Sequence, residues 1–96
     1  MECTARIRLR FAGVLKIFAG DNEIGMEVPC GSTIRDLITK LGSSNPKLFS
    51  RLMDGKELMP DIYIAINDID IRLLKDLATP LKDNDVVLFL SYIHGG

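Results

Sequence analysis

Val86-Val87-Leu88-Phe89-Leu90-Ser91-Tyr92-Ile93 is the most hydrophobic stretch of the chain, and only His94-Gly95-Gly96 follows it. Its β-branched and aromatic content reads as a strand, and it is far shorter than the roughly 20 apolar residues that cross a bilayer. A sheet covered by helices on one side leaves its other side to water, and such faces normally read polar. This strand breaks that rule. Whether Val87 with Phe89 or Leu88 with Leu90 faces the core, the other pair is apolar too. Each large apolar side chain left wet forgoes roughly 1.5–3 kcal/mol of burial, so the second pair reads as a docking patch beside the C-terminus, unless the stretch Ile69 to Leu81 covers it.

The strand at the opposite end of the chain keeps the rule. In Arg6-Ile7-Arg8-Leu9-Arg10-Phe11 every second residue is apolar, so Ile7, Leu9 and Phe11 face inward and three arginines face water. A loop from Ala12 to Asn22 leads to Ile24-Gly25-Met26-Glu27-Val28, where the alternation returns until Pro29, completing a hairpin. Apolar residues at 34, 37, 38 and 41 then follow helical spacing. Thr33 with Asp36 resembles a capping box, and Gly42 suits the helix end. Asn45-Pro46 starts a second, short helix over Lys47 to Leu52. Asp54-Gly55 turns the chain into the strand Ile62 to Ile66, Asn67-Asp68 turns it again, and Ile69 to Leu81 reads as a short strand followed by irregular structure. Asp83-Asn84-Asp85 then feeds the last strand. Strand, strand, helix, short helix, strand, strand is an α+β order, with helices packed on one face of a mixed sheet of four to five strands. That order is a β-grasp, spanning residues 1–91 and followed by a tail over 92–96.

Ninety-six residues build one core, and folding buries roughly 65% of the surface of a chain this long, enough for stability without metals or disulfides. Twelve basic against thirteen acidic residues, with 6% aromatics, disfavour direct nucleic-acid binding, which needs cations for phosphate and rings for bases. The start Met1-Glu2-Cys3-Thr4-Ala5-Arg6 lacks a hydrophobic secretion segment, so a cytoplasmic location away from membranes is the expectation. Cys3 and Cys30, in no Cys-x-x-Cys pair, read as ordinary thiols.

Two terminal glycines arise by chance in about 0.5% of chains. Gly95-Gly96 gives an end with no Cβ to obstruct a narrow channel or an attacking nucleophile. Extended, Tyr92 to Gly96 reaches on the order of 17 Å. A carboxylate must be activated before it can acylate anything, most economically as an acyl-adenylate, and the chain contains neither a phosphate-binding Gly-x-x-x-x-Gly-Lys-Ser/Thr loop nor a Gly-x-Gly-x-x-Gly turn. The chain is therefore read as the object of an enzyme rather than an enzyme.

Val28-Pro29-Cys30-Gly31-Ser32-Thr33-Ile34-Arg35-Asp36-Leu37 and the final Gly95-Gly96 resemble the ubiquitin-like sulfur carriers, including the small subunit of molybdopterin synthase. Asn45-Pro46-Lys47-Leu48-Phe49, Ile66-Asn67-Asp68, Leu81 to Ser91 and Ile93-His94-Gly95-Gly96 resemble more closely the ubiquitin-related modifier or an archaeal relative of it. The resemblance implies that a separate ATP-dependent activating enzyme adenylates Gly96 and converts it to a thiocarboxylate. Sulfur then passes to tRNA wobble uridine, or the acyl group joins lysines of target proteins, with tRNA-thiolation enzymes or the proteasome as the further partners the resemblance suggests. It also implies that Val87 and Phe89 face the core, leaving Leu88 and Leu90 outward, with Tyr92, Ile93 and His94, to contact the activating enzyme. Asn84 stands where many relatives carry glycine, and asparagine tolerates the left-handed backbone. The missing proline pair before the tail argues against the alternative, a molybdopterin synthase subunit.

The remaining residues read blandly. His94 is the only histidine, too few for a zinc site, and no cofactor is implied. Asp68 with Asp70, and Asp83 with Asp85, are explained by turn chemistry. The arginine row reads as a solvated face, and none of the six lysines stands out as a self-conjugation site.

Overall fold

A computed structural model describes residues 2–92. Its five-stranded sheet runs in the order β2 (Glu23–Pro29), β1 (Thr4–Phe11), β7 (Val86–Ser91), β5 (Ile62–Ile66), β6 (Ile69–Asp70). β1 pairs with β2 antiparallel and with β7 parallel, so the two ends of the chain form the middle of the sheet. The alternation in β1 decides which face is buried. Ala5, Ile7, Leu9 and Phe11 are all at most 2% exposed, and the arginines between them are exposed. The register sets Phe11 beside Phe89, whose rings stack with centroids 5.2 Å apart. Over this face lie α2 (Ile34–Ser44) and α3 (Pro46–Leu52), with Leu37, Ile38, Leu41, Leu48 and Leu52 directed into the core.

Local signals hold where the chemistry is local. The Thr33 hydroxyl accepts from the Asp36 amide (3.3 Å), and the Asp36 carboxylate accepts from the Thr33 amide (2.9 Å), which closes the capping box. Asn67, Asp68 and Asn84 adopt positive φ, the left-handed backbone that Asn and Asp tolerate in tight turns.

Three expectations need correction. Gly42 does not end α2: the helix continues to Ser44, and a Cβ at Gly42 would sit 2.5 Å from Cδ2 of Phe49, so the glycine serves the close approach of α3. Asn45 makes the stop instead. Its amide donates to the Leu41 carbonyl, its side-chain oxygen caps α3 at the Leu48 amide (3.1 Å), and its side-chain nitrogen donates to the Phe18 carbonyl (2.9 Å). The loop from Ala12 to Asn22 contains a helix, α1 (Leu15–Ala19), set between Gly13 and Gly20 at φ 63° and 81° and anchored by fully buried Leu15. The cysteines are not free thiols. The β1–β2 register continues one step past Thr4 opposite Pro29, the Cys30 amide donates to the Cys3 carbonyl (2.9 Å), and the side chains join as a disulfide across a Cα separation of 5.3 Å.

The stretch Ile69 to Leu81 forms β6 and then two 3-10 turns (Ile71–Leu73 and Asp76–Ala78). It packs beside α2, sending Ile71, Leu77 and Leu81 into the core; the Ile34 amide bonds to the Thr79 carbonyl and the Leu81 amide to the Ser32 carbonyl. A short hairpin, β3 (Met53–Asp54) with β4 (Glu57–Leu58), follows α3, and its turn is tied to α2 by the Arg35 guanidinium, which donates to the Lys56 carbonyl (2.7 Å).

Candidate functional site

The last strand ends at Ser91, two residues earlier than the sequence reading placed it, and its end is fastened from both faces. On the helix side the core-facing positions run Val87, Phe89, Ser91, so a hydroxyl occupies the third. Arg51, in the last turn of α3, meets Asp61, just before β5, in a two-pronged ion pair that is partly buried. Nη1 donates to Oδ1 (3.1 Å) and Nη2 to Oδ2, and Nη2 also reaches the Ser91 hydroxyl (3.1 Å). The Ser91 hydroxyl in turn donates to Asp61 Oδ2. The Arg51 hydrogen bond outweighs burial and holds the Asp61 carboxyl at about 2, so it stays ionised at neutral pH. The backbone adds one more tie: the Tyr92 amide donates to the Asp61 carbonyl (2.7 Å).

On the outer face, the Tyr92 ring stands edge-on to Tyr63 with centroids 5.9 Å apart. Asp70 grips Arg72 through its backbone amide (2.9 Å), Nε (3.0 Å) and Nη2 (2.6 Å). The Asp70 hydrogen bond, then its charge, keeps Arg72 protonated more firmly than usual.

The outer face of β7 carries Val86, Leu88 and Leu90, all half-buried. Register places Leu88 between Arg10 and Ala65, and Leu90 beside Tyr63. On the far side of the arginines, Glu23 lies 3.6 Å from Arg8 and 3.8 Å from Arg10. The surface is therefore banded: acidic on β2, basic on β1, apolar on β7 and aromatic on β5. The stretch Ile69 to Leu81 covers the helix face and leaves this band open.

Of the residues singled out from the sequence, Leu88 and Leu90 lie on this outer band and Tyr92 at its end. Ile93, His94, Gly95 and Gly96 lie outside the described residues. The acidic pairs are spent on turns: Asp83 accepts from the Arg6 amide, Asp85 from Asn67 and the Lys82 amide, and Asp70 from Arg72, while Asp68 sits in a left-handed turn. Among the described residues, no group of three or more His, Cys, Asp or Glu could hold a metal ion. Sequence reasoning missed Asp61, Arg51 and Arg72. Ser91 was the available signal, a hydroxyl at a core-facing position of an apolar strand.

Residues 6–96 match the family model Urm1, the ubiquitin related modifier. The chain is 30% identical to ubiquitin-related modifier 1 homolog 1 of Arabidopsis thaliana over 95% of its own length and 99% of that protein's. Small archaeal modifier protein 1 of Methanosarcina acetivorans superimposes with a TM-score of 0.80 at 29% identity, covering 98% of this chain and 99% of the other. A Pyrococcus furiosus protein described as a molybdopterin converting factor subunit 1 superimposes with a TM-score of 0.73 over 93% of this chain and 99% of its own, and at 24% identity it shares the fold alone. With the β-grasp sheet, this match over nearly the whole chain shows that the protein belongs to the ubiquitin related modifier family.

Proposed function

We propose that the chain is a ubiquitin-like modifier and sulfur carrier, with residues 1–91 as the handle and the α-carboxylate of Gly96, at the end of the 92–96 tail, as its only reacting group. A separate activating enzyme in the cytoplasm would join this carboxylate to the α-phosphate of ATP, releasing pyrophosphate. AMP is then the leaving group. Displacement by a sulfur donor makes the thiocarboxylate that carries sulfur towards tRNA, and attack by a target lysine amine makes an isopeptide bond. The glycines supply an unobstructed acyl group, and Leu88, Leu90, Tyr92, Ile93 and His94 form the contact with the activating enzyme.

The observation that carries this reading is the fastening of the chain at Ser91 and Tyr92 by Asp61, immediately before the Ile93-His94-Gly95-Gly96 ending of a family member. Fixed to that point, the chain can extend at most roughly 14 Å further, which suits delivery of an end group into another protein's site. Incubation with the cognate activating enzyme, ATP and a sulfur donor should replace one terminal oxygen by sulfur in the intact mass, and deleting Gly95-Gly96 should abolish this while the domain stays folded. Thiocarboxylate on the truncated chain would overturn the reading. So would a stable stoichiometric complex with the large molybdopterin synthase subunit and no adducts on lysines.

A further inference from the structure

We propose that the helix side of the β6 edge is a second docking surface, an apolar groove lined by Ile66, Ile69, Leu74 and Pro80 and rimmed by Lys75 and Lys82, which takes an aliphatic peptide segment bracketed by carboxylates. The groove uses neither the tail nor the outer band, so it goes beyond the reading of Gly96 as the activated group.

Exposed apolar surface is concentrated here. Among the described residues five large apolar side chains are exposed, and three of them, Ile69, Leu73 and Leu74, fall between positions 69 and 74. The register explains why. Ile69 pairs with Ile66, so both point to the face that the helices cover, but β6 is the edge strand of the sheet and only two residues long. Ile66 is therefore 6% exposed and Ile69 47%. Beyond Leu74 the chain returns through Thr79 and Pro80, leaving an open groove of about 470 Å³, within the size range of clefts that hold ligands. Apolar side chains gathered along a groove mark an interaction site, whereas the same side chains scattered singly do not.

The walls are fixed before anything binds. The Thr79 hydroxyl accepts from the Lys75 amide (3.0 Å) and donates to the Asp76 carbonyl (2.7 Å), and the Thr79 carbonyl accepts from the Ile34 amide of α2 (3.1 Å). A groove already ordered costs less to fill. The rim sets the charge of the occupant. Lys75 and Lys82 are exposed, lie on separate stretches of the lining, and are in no ion pair among the described residues. The carboxylate in the lining, Asp85, is 8% exposed, and its oxygens are engaged by the Asn67 side-chain amide (2.9 Å) and the Lys82 backbone amide (2.7 Å). The accessible charge is therefore positive. A wholly apolar occupant leaves the lysines unanswered and a basic one is repelled, whereas carboxylates on either side of an aliphatic centre match both floor and rim.

The test titrates the 15N-labelled full chain with a capped peptide, Glu-Leu-Ile-Leu-Glu. Saturable amide shifts are expected at Ile66, Ile69, Leu74, Lys75 and Lys82, with Arg10 and Leu88 stationary. Gln-Leu-Ile-Leu-Gln should bind roughly three- to tenfold more weakly, and the Glu-ended peptide should lose about as much on the Lys75→Gln/Lys82→Gln double variant, with added salt narrowing both differences. Leu74→Ser removes apolar contact and should weaken binding roughly tenfold. Leu74 is 43% exposed, so this variant should fold, and the lysine variant, changed only at exposed groups, tests the groove even if it does not. No saturable shift, shifts at Arg10 and Leu88 instead, equal binding of the Glu-ended and Gln-ended peptides, or undiminished binding to Leu74→Ser would each overturn the proposal. So would shifts at the groove amides that grow with protein concentration alone, which would make the occupant a second copy, or shifts produced by phosphatidylglycerol vesicles and not by the peptide, which would make it a membrane surface. Because no activating enzyme is involved, a Gly96 that is never activated leaves the groove measurable, and an empty groove leaves the reading of Gly96 standing.

Discussion

Strand β7 has two apolar faces that meet different neighbours. Val87 and Phe89 are wholly buried beneath the helices, with Phe89 stacked on Phe11. Leu88 and Leu90, one residue along in each case, lie in a band bordered by Arg10 on one side and by Ala65 and Tyr63 on the other, and are only half-buried. The same side-chain chemistry thus fills a core on one face and lies open on the other. The contrast separates what holds this domain together from what it can offer a partner, and it can be attacked from either side.

The largest expected effect is on the inner face. Phe89→Ala removes a fully buried ring, and its stacking on Phe11, from the centre of the sheet, and should lower unfolding free energy by about 3–5 kcal/mol in urea denaturation. A loss below about 1 kcal/mol would mean that the inner face is not the load-carrying side.

How much of this was legible from the sequence depends on distance along the chain. The two-residue repeat of β1, the Thr33/Asp36 cap and the turn residues Asn67, Asp68 and Asn84 encode contacts within a few positions, and all were readable. The covered-or-open question about Leu88 and Leu90 was legible as a question, because no helix remained to cover a second apolar face. Unreadable were contacts that exist only once the register is set. The Cys3–Cys30 bond spans 27 residues with an unexpected helix between the paired strands. The Gly42 contact requires α3 to fold back onto α2. The Arg51–Asp61–Ser91 cluster joins positions 10 and 40 residues apart, and only Ser91, a hydroxyl at a core-facing position of β7, carries a local mark of it.

That cluster, at the end of the strand on its inner face, should give the intermediate effect. Asp61 is depressed from 3.8 to about 2 in the folded protein, so it binds a proton more readily when unfolded. Its contribution is therefore complete above about pH 4 and is lost as the pH falls through about 2, amounting to about 2 kcal/mol. Asp61→Asn should cost about that much at pH 7, because it leaves the partly buried Arg51 charge without its counter-ion. Denaturation midpoints at pH 7 and pH 2 should then converge between the variant and the parent. Asp70 is also depressed, chiefly by its hydrogen bond from Arg72, but it is unchanged in both proteins and cancels from the difference. A gap that persists undiminished at pH 2 would show that the ion pair is not what Asp61 contributes.

The smallest effect on stability, and the sharpest use of the contrast, belongs to the outer face. Leu88→Gln exchanges a half-buried side chain for one of similar length that can keep its amide in water, so the loss should stay below about 1 kcal/mol. If the band meets the activating enzyme, the same change removes apolar area from an interface whose neighbouring strand carries Arg10, and KM for activation should rise roughly tenfold, since 1.4 kcal/mol of lost contact is a factor of ten. Arg10→Gln tests the border of the band: its pairing with Glu23 is long and exposed, so stability should not move measurably, while the salt dependence of activation should weaken if the partner presents an acidic rim. A Leu88 variant that activates like the parent, while Phe89→Ala unfolds readily, would leave β7 with an inner face that explains the fold and an outer face with no assigned partner. A Leu88 variant as destabilised as Phe89→Ala would remove the contrast altogether, because both faces would then belong to one core.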